Sequence, residues 1–509
     1  MHAFRNIIRD ARARVETDLL AIRLRRAGDG PSEQRKVLER LMEGFSRSDF
    51  GKAHKLSPGI SYNQFREHVP PQSHATLAPL IDQVAEGVTG VLWPGMCRKF
   101  AITQALPNET PRLLPVTTSL DDHLRNAWRR SLMQLAARGA PVSTIRARQL
   151  WPGASSILQS LGETASGRVV GRFSDILVAS LRNDYAIACL QEGQPAGPRG
   201  ALAPNDAGRE PSLIVLEDAG RLPPFLASHG QAFLSQPRRS VILIGTHSNM
   251  QTDELPRPMG GETMIHEVFA CEAGIVAAQD GDAELGLRLF TDAGLFLEFI
   301  PLHDYDEARI ADLGSRIVPL ENVRTGMDYV MLVTSPAGLC RYATDELVCF
   351  VSIAPHRIRR LGHASRLLNT HGEKVNERHI SECLSAICLS HKWNIVHFHV
   401  APVVYSSLTG SVRGHHEWWV ELKPGTRETP TGTTLAEKLD HALQAESPEY
   451  CQRRQSGALN APVVRLVMPG VFEQWLSQNG LREDRFLIPP CLPDRPIANA
   501  LAKLARFYD

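Results

Sequence analysis

The chain has 509 residues, of which 43% are hydrophobic and 22% charged, and its 56 Lys plus Arg nearly balance its 55 Asp plus Glu. This composition is typical of a soluble globular protein, and the length favours two or three domains. The net charge of +1 argues against a nucleic-acid partner, and no apolar run is long enough to span a membrane, so we expect a cytoplasmic protein with neither kind of partner.

Hydrophobic periodicity predicts helices in the first part of the chain. Residues 1–43 read as two amphipathic helices separated by Gly-Asp-Gly at 28–30, and residues 120–190 are again helical in character. The stretch 192–212 is rich in Gly and Pro and predicts a loop. Short β-branched runs at 213–216 and 241–244 then predict buried strands, as in an α/β layer.

Two hairpin signals follow. Apolar runs at 287–290 and 296–300 flank Asp-Ala-Gly, and runs at 329–334 and 347–353 flank Ser-Pro-Ala-Gly, so each pair predicts adjacent antiparallel strands. A mixed-sheet domain is therefore expected to end near residue 355.

A smaller α+β unit is predicted beyond Gly362, from a helix at 377–390, alternating strands at 395–400 and 417–422, a loop at 423–434 and terminal helices. We therefore expect an α/β fold, with a large domain of mixed sheets and helices over residues 1–358 and a small α+β domain over residues 359–509.

Two motifs stand out in the second half of the chain. The first is Arg-Tyr followed by Asp345, with Gly-Glu-Lys and a further Glu at 372–377. The second is Phe-Ala-Cys-Glu-Ala-Gly at 269–274. Weaker matches fall in a consistent order along the chain: DFG at 49–51, VP at 69–70, LWPG at 92–95 and GHHEWWVE at 414–421.

Together these motifs resemble the Gretchen Hagen 3 (auxin-responsive) family of acyl acid amido synthetases, a branch of the adenylate-forming enzymes. The resemblance covers nearly the whole chain. It implies a large amino-terminal domain with a small mobile carboxy-terminal lid. It also implies a ligase that uses ATP and Mg²⁺ to join a small carboxylic acid to an amine or amino acid.

The resemblance implies roles for four motif residues. Asp345 would accept hydrogen bonds from the ribose hydroxyls of ATP, and Lys374 would act on its phosphates. Glu272 would be catalytic and lie near the metal, because Mg²⁺ takes one or two carboxylates besides phosphate oxygens. Phe269 would contact the nucleotide. Without the resemblance, Asp345 reads as a turn residue and Glu272 as a partly buried residue at a helix end.

The expected phosphate-binding loop departs from the family pattern. The family has a Ser/Thr/Gly-rich loop there, whereas residues 103–112 contain no glycine and include two prolines and a glutamate. Glycine's conformational freedom and some backbone donors are therefore missing. Thr103, Thr110 and Arg112 are the remaining candidates for phosphate contact.

The lid also departs from the pattern. His363 replaces the arginine expected after Gly362, and Arg366 is the candidate to compensate. The lid lysine expected in the tract 485–490 is absent, since alignment places Leu487 there, and Arg485 is the candidate to replace it.

Three functions remain open. The chain is a divergent but active synthetase, an ATP-independent transferase of activated acyl groups, or a non-catalytic binding protein. A nucleophilic cysteine, at Cys271 or Cys340, would suit the transferase, although core packing is the commoner role of such residues. Histidines at 397, 399, 415 and 416 allow a metal site, although strand histidines more often lie at a solvated edge.

Overall fold

A computed structural model describes residues 11–12, 14–22, 28–107, 109–161, 167–190, 213–217, 238–244, 262–406, 412–423, 429–482 and 486–505. The described residues form two compact units, one up to Arg360 and the other from Leu361 onward. Each has a hydrophobic core of its own, as independent domains do. Within the described ranges, no helix is long and apolar enough to cross a membrane.

The helices of the first unit mostly begin at a side chain that accepts a backbone N–H, which satisfies one of the free donors at a helix start. Residues 14–22 are helical, and Asp29 caps the next helix, so the predicted amino-terminal pair is confirmed. Beginning with the helix that Asp29 caps, the helices of this unit are α1 (Gly30–Phe45), α2 (Asp49–Ala53), α3 (Tyr62–His68), α4 (His74–Glu86), α5 (Thr118–Ala137) and α6 (Phe173–Leu181).

The strands of the first unit build two sheets. They are β1 (Lys99–Ile102), β2 (Leu113–Val116), β3 (Gln149–Pro152), β4 (Gln159–Ser160), β5 (Val169–Arg172), β6 (Ile187–Leu190), β7 (Leu213–Leu216), β8 (Arg238–Ile244), β9 (Glu262–Cys271), β10 (Gly274–Ala278), β11 (Leu287–Leu289), β12 (Phe296–Pro301), β13 (Val318–Pro319), β14 (Asp328–Thr334), β15 (Tyr342–Ile353) and β16 (His356–His363).

Both sheets of this unit are mixed. The small sheet has the order β2-β1-β5-β4, and the large one β13-β12-β14-β15-β16-β11-β10-β9-β8-β7-β3-β6. One half of the large sheet is parallel and consists of β6, β3, β7, β8 and β9. The other half is antiparallel, as in the pairs β9–β10 and β12–β14. The predicted α/β class with mixed sheets is confirmed.

The prediction for residues 120–190 was only partly right. Helices α5 and α6 lie there, but so do the short strands β3 to β6. Four-residue apolar runs do not distinguish a strand from a piece of helix by periodicity, which explains the error. The predicted loop at 192–212 lies outside the described residues.

The hairpin predicted at 287–300 was wrong, although both strands exist. Strand β11 pairs with β10 and β16, whereas β12 pairs with β13 and β14. The buried side chain of Gln34 spans the connection instead, since it donates to the carbonyls of Thr291 and Leu295 and accepts from the amide of Leu297. The other predicted pair, β14 with β15, is confirmed.

The second unit packs helices against a three-stranded sheet of order β17-β18-β19. The predicted helix and the two predicted strands are confirmed, but the strands are longer, and β19 was not predicted. The elements are α7 (Glu377–His391), β17 (Ile395–Ser406), β18 (Val412–Leu422), α8 (Gly432–Glu446), α9 (Pro448–Gln455), β19 (Val463–Val467), α10 (Val471–Gln478) and α11 (Pro496–Leu504).

Candidate active site

The segment expected to bind phosphates is the loop of an antiparallel hairpin between β1 and β2. Four of its described backbone amides donate within the loop. The amide of Arg112 donates to Thr103 Oγ1 at 3.0 Å, and the amide of Leu106 donates to Glu109 Oε2 at 3.1 Å. Thr110 is exposed. The loop therefore closes on itself in this structure, and its Thr103 hydroxyl holds the hairpin together.

Glu272 lies on the two-residue turn between β9 and β10, not at a helix end. Gly274 completes that turn with φ +140°, and a Cβ there would approach His123 Nε2 to 2.6 Å. His123 accepts the amide of Ile275 at Nε2, so its Nδ1–H donates to the Ala293 carbonyl at 2.7 Å. Burial lowers the pKa of His123, which keeps the ring neutral. Helix α5 thus fixes the turn that presents Glu272.

Asp345 sits on a bulge in β15. The register with β14 shifts between Val330 and Leu332, so residues 344–346 face the single residue Met331. Thr344 Oγ1 donates to the Met331 carbonyl at 2.9 Å. Asp345 has φ +65°, a conformation that non-glycine residues rarely adopt and that often occurs at functional sites. The bulge turns the half-buried carboxylate out of the strand alternation.

Arg112 is close to several of these groups. Burial alone would lower its pKa, but Tyr342 and the carboxylates of Glu307, Asp345 and Glu272 together raise the pKa of Arg112. It donates a hydrogen bond to Tyr342 and forms a 3.7 Å ion pair with Glu307. The structure therefore brings together three residues singled out from sequence, Arg112, Glu272 and Asp345.

Two tyrosines complete this group. Burial is the main reason that the pKa of Tyr342 is raised, and Glu272 raises it further against the opposing effect of Arg112. Burial likewise raises the pKa of Tyr305, with Asp345 as the next contribution. Both phenols stay protonated at neutral pH and can donate hydrogen bonds.

A buried ion pair lies next to the site. Arg360 Nε donates to Glu346 Oε2 at 2.7 Å. Burial raises the pKa of Glu346 to about 7, against the lowering effect of Arg360 and with further raising by Glu272 and Asp345. The Arg360 guanidinium also lies 5.8 Å from the ring centre of Phe269. Phe269 is 1% exposed, so in this structure its ring packs in the core beside the site, and its contact with the nucleotide stays a prediction.

Sequence reasoning missed Tyr305, Glu346 and Arg360. Glu346 directly follows Asp345, so adjacency to the motif was a signal for it. Tyr305 lies on another segment without a motif, and Arg360 lies on β16, the strand that follows β15, where the resemblance assigned it no role. Only the folded sheet brings them to the site.

Lys374 belongs to the second unit and is also left-handed, with φ +47°. Its amide donates to Asn369 Oδ1 at 3.2 Å, and its ammonium lies 4.0 Å from Glu449 Oε1. Both side chains of that pair are more than a third exposed, so the pair is weak.

His363 and Arg366 share one partner within the same unit. Glu377, at the start of α7, accepts from His363 Nδ1 at 2.8 Å and from Arg366 Nη1 at 2.9 Å. In this structure Arg366 is thus held by the last Glu of the Gly-Glu-Lys motif.

Arg485, the expected replacement for the lid lysine, lies outside the described residues. The tract that follows runs beside β17, where His399 Nδ1 donates to the Pro489 carbonyl at 2.8 Å and the Val400 amide donates to Pro490 at 2.9 Å. Leu487 is half-buried in that tract.

The cysteine and histidine alternatives are not supported. Burial raises the pKa of Cys271 and of Cys340, so neither thiol is an activated nucleophile. His399 and His416 are buried rather than at a solvated edge, and each is hydrogen-bonded to protein. Among the described residues, no group of three or more His, Cys, Asp or Glu is arranged to hold a metal.

The site nevertheless suits Mg²⁺ bound together with a nucleotide. This ion keeps several waters and takes only one or two protein carboxylates besides phosphate oxygens. Glu272 and Asp345 are two half-buried carboxylates in the same electrostatic group. Glu272 can serve as the metal ligand while Asp345 is left for the ribose.

Three family models match the chain in order. The GH3 family N-terminal domain matches residues 27–185, the GH3 family central domain residues 288–361, and the GH3 family C-terminal domain residues 378–496. Together they cover well over half of the chain.

Similar curated proteins include the indole-3-acetic acid-amido synthetase GH3.8 of Oryza sativa subsp. indica, 25% identical over 43% of this chain and 37% of that protein. A GH3 domain-containing protein of Homo sapiens is 26% identical over 48% of this chain and 44% of its own length. The matches thus span less than half of each of these relatives.

The fold matches that of a solved AtGH3.15 acyl acid amido synthetase in complex with 2,4-DB, with a TM-score of 0.67 over 96% of both chains at 13% identity. The fold, the order of the three domain models and the motifs all agree. The chain belongs to the GH3 family.

Proposed function

We propose that this protein is an ATP-dependent acyl acid amido synthetase, a carbon–nitrogen ligase that joins a small carboxylic acid to an amine or amino acid. The observation that carries the proposal is the grouping of Glu272, Asp345 and Arg112 in one electrostatically coupled site. The names of relatives that are amido synthetases support the same reaction class.

The proposed reaction has two steps. A carboxylate oxygen of the acid attacks the α-phosphorus of ATP and pyrophosphate leaves. The amine nitrogen then attacks the acyl carbon, loses a proton and expels AMP. Asp345 holds the ribose, and Arg112, with Lys374, offsets charge on the phosphates. Mg²⁺, held by Glu272, would neutralise phosphate charge.

We assign the second unit, from Leu361, as the small mobile lid that the family resemblance implies. Much of the stretch from Ala354 to Gly362 belongs to strand β16, which pairs with β11 at Arg357 and Ile358. We place the hinge within the last residues of β16, at the division between Arg360 and Leu361 and beyond the pairing with β11.

The transferase is the weaker candidate, because a nucleophilic cysteine would suit it and the candidate thiols are buried and protonated. A non-catalytic role does not explain why the backbone of Asp345 is held in a strained left-handed conformation.

The test is product formation. Purified protein is incubated with MgATP, a panel of aromatic and aliphatic carboxylic acids and the twenty amino acids, and amides are detected by mass spectrometry. The synthetase predicts an amide that requires ATP and releases AMP. An amide formed from a thioester without ATP would identify the transferase instead.

A further inference from the structure

The lysine of the Gly-Glu-Lys motif lies on a small closed loop in the second unit. Leu368 and Val375 pair across its base through two hydrogen bonds of 2.9 Å. The loop ends at Lys374, whose φ of +47° is a strained conformation for a non-glycine residue and must be held by its surroundings. The side chain of Lys374 is 39% exposed and is available to a ligand.

The neighbouring Glu373 supplies the restraint. Its carboxylate is completely buried and accepts the amides of Thr370 at 3.2 Å and His371 at 2.7 Å, so it closes the loop from within. A buried carboxylate bound to two amides fixes the loop backbone strongly, since charge-assisted bonds are about twice as strong as neutral ones.

A second buried group completes the arrangement. His416, on β18, donates from Nε2 to Glu373 Oε1 at 3.1 Å, and both side chains are 0% exposed. Burial would raise the pKa of Glu373, but His416 and the loop amides lower it overall, so the carboxylate is ionised. Without His416, the buried charge would lose its side-chain donor.

We propose that Glu373 and His416 are positioning residues that hold Lys374 in the left-handed conformation from which it acts on the phosphates. This proposal rests on the proposed function for the role of Lys374. The connection runs from the sheet through His416 to Glu373, then through the loop amides to the strained residue beside it.

The variants separate positioning from general stability. His416→Leu removes the donor, His416→Gln keeps one, and Glu373→Gln removes the charge should His416→Leu fail to fold. Asp440→Asn is the matched control. The carboxylate of Asp440 lies in the same unit and accepts hydrogen bonds from Tyr450 at 2.8 Å and Arg454 at 2.7 Å, but it is not bonded to the loop.

Two measurements on the full chain do not need activity. They are hydrogen exchange of the peptide 369–375 and the rate at which trinitrobenzenesulfonate modifies Lys374, read by mass spectrometry. We expect His416→Leu and Glu373→Gln to speed exchange at Thr370 and His371 at least tenfold and to change the modification rate of Lys374 at least threefold. Asp440→Asn should leave both at wild-type values.

The kinetic measurement is ATP–pyrophosphate exchange. We expect His416→Leu to lower kcat at least tenfold with KM for ATP within threefold, and His416→Gln to recover most of the loss. A wild-type rate of hydrogen exchange together with a wild-type kcat in folded His416→Leu would overturn the proposal. If the wild type itself shows no pyrophosphate exchange, the proposed function fails, while hydrogen exchange and Lys374 modification still decide whether Glu373 and His416 hold the loop.

Discussion

Three residues of the recognised motifs have left-handed backbones: Arg341, Asp345 and Lys374, with φ of +48°, +65° and +47°. Each is held by a buried polar contact or a bulge. The fully buried Arg341, for instance, binds Glu298 Oε2 at 2.9 Å and donates to the Val69 carbonyl at 2.6 Å. Three of the five non-glycine residues with positive φ in the described part of the chain are thus motif residues, and such strain often occurs at active sites.

The role of Asp345 is testable with a variant that spares its backbone. Asparagine tolerates φ +65° almost as well as aspartate, so Asp345→Asn removes charge without adding strain. Two charge-assisted bonds to ribose contribute about 1.5–3 kcal/mol each, so we expect the Kd for ATP, measured by calorimetry, to rise at least tenfold. Asp312→Asn, a substitution of an exposed carboxylate in the same unit, should leave the Kd unchanged. An unaltered Kd in Asp345→Asn would show that the carboxylate does not bind the nucleotide.

The family resemblance, and not composition or periodicity, placed Arg112, Glu272 and Asp345 in one site. It gave no role to Tyr305, which belongs to no motif, or to Arg360, which reaches Glu346 because β15 and β16 are neighbours in the large sheet. The burial of Phe269 could not be predicted for a related reason, since a motif does not say which of its members faces the core.

At the scale of elements, connections were harder to predict than strands. Strands β11 and β12 were located correctly but assigned to one hairpin, because an Asp-Ala-Gly turn between apolar runs is a local signal. The side chain of Gln34, more than 250 residues away in sequence, spans the connection instead. Such a contact has no local signature.

Helix α5 and strand β9 are joined by a buried histidine that makes stability depend on pH. His266 Nε2–H donates to Ser131 Oγ at 3.0 Å, and Arg138 donates to its Nδ1 at 3.3 Å. Burial, and then Arg138, lower the pKa of His266 to about 3. In the unfolded state His266 binds a proton as the pH falls through about 6.5, whereas in the native state the ring stays neutral. The contribution of His266 to the free energy of unfolding is therefore fully present above pH 6.5 and is lost progressively below it.

At pH 5 this effect amounts to about 2 kcal/mol, since each pKa unit corresponds to about 1.4 kcal/mol. The free energy of unfolding in urea should therefore fall less between pH 7 and pH 5 in His266→Gln than in the wild type. The difference between the two proteins should be roughly that amount. His303→Gln, at an exposed position, should behave as the wild type. Equal pH dependence in His266→Gln and the wild type would refute the assignment.

The loop at 103–112 leads to a prediction about combined changes. Several of its backbone amides donate within the loop, and Leu487 stands where a lid lysine is expected. A Gly/Ser-rich graft alone, or Leu487→Lys alone, should raise ATP–pyrophosphate exchange by less than threefold, because both act on one transition state. Both together should raise it more than the product of the separate effects. Strictly multiplicative gains would show that the two sites act independently.

At the scale of the whole molecule, composition and periodicity predicted an α/β chain with a small carboxy-terminal α+β part, and the mixed sheets agree. Neither could predict the order of twelve strands in one sheet, because strand pairing in the larger sheet joins segments far apart in sequence. The family motifs supplied what pattern reasoning lacked.

The proposed synthetase adenylates a carboxylic acid in its first step. That step is measured by the incorporation of labelled pyrophosphate into ATP in the presence of Mg²⁺ and single acids from a broad panel. We predict exchange that depends on at least one acid and falls at least tenfold in Glu272→Gln and in Asp345→Asn. The absence of exchange with every acid, together with no rise in melting temperature on adding MgATP, would contradict the proposed function.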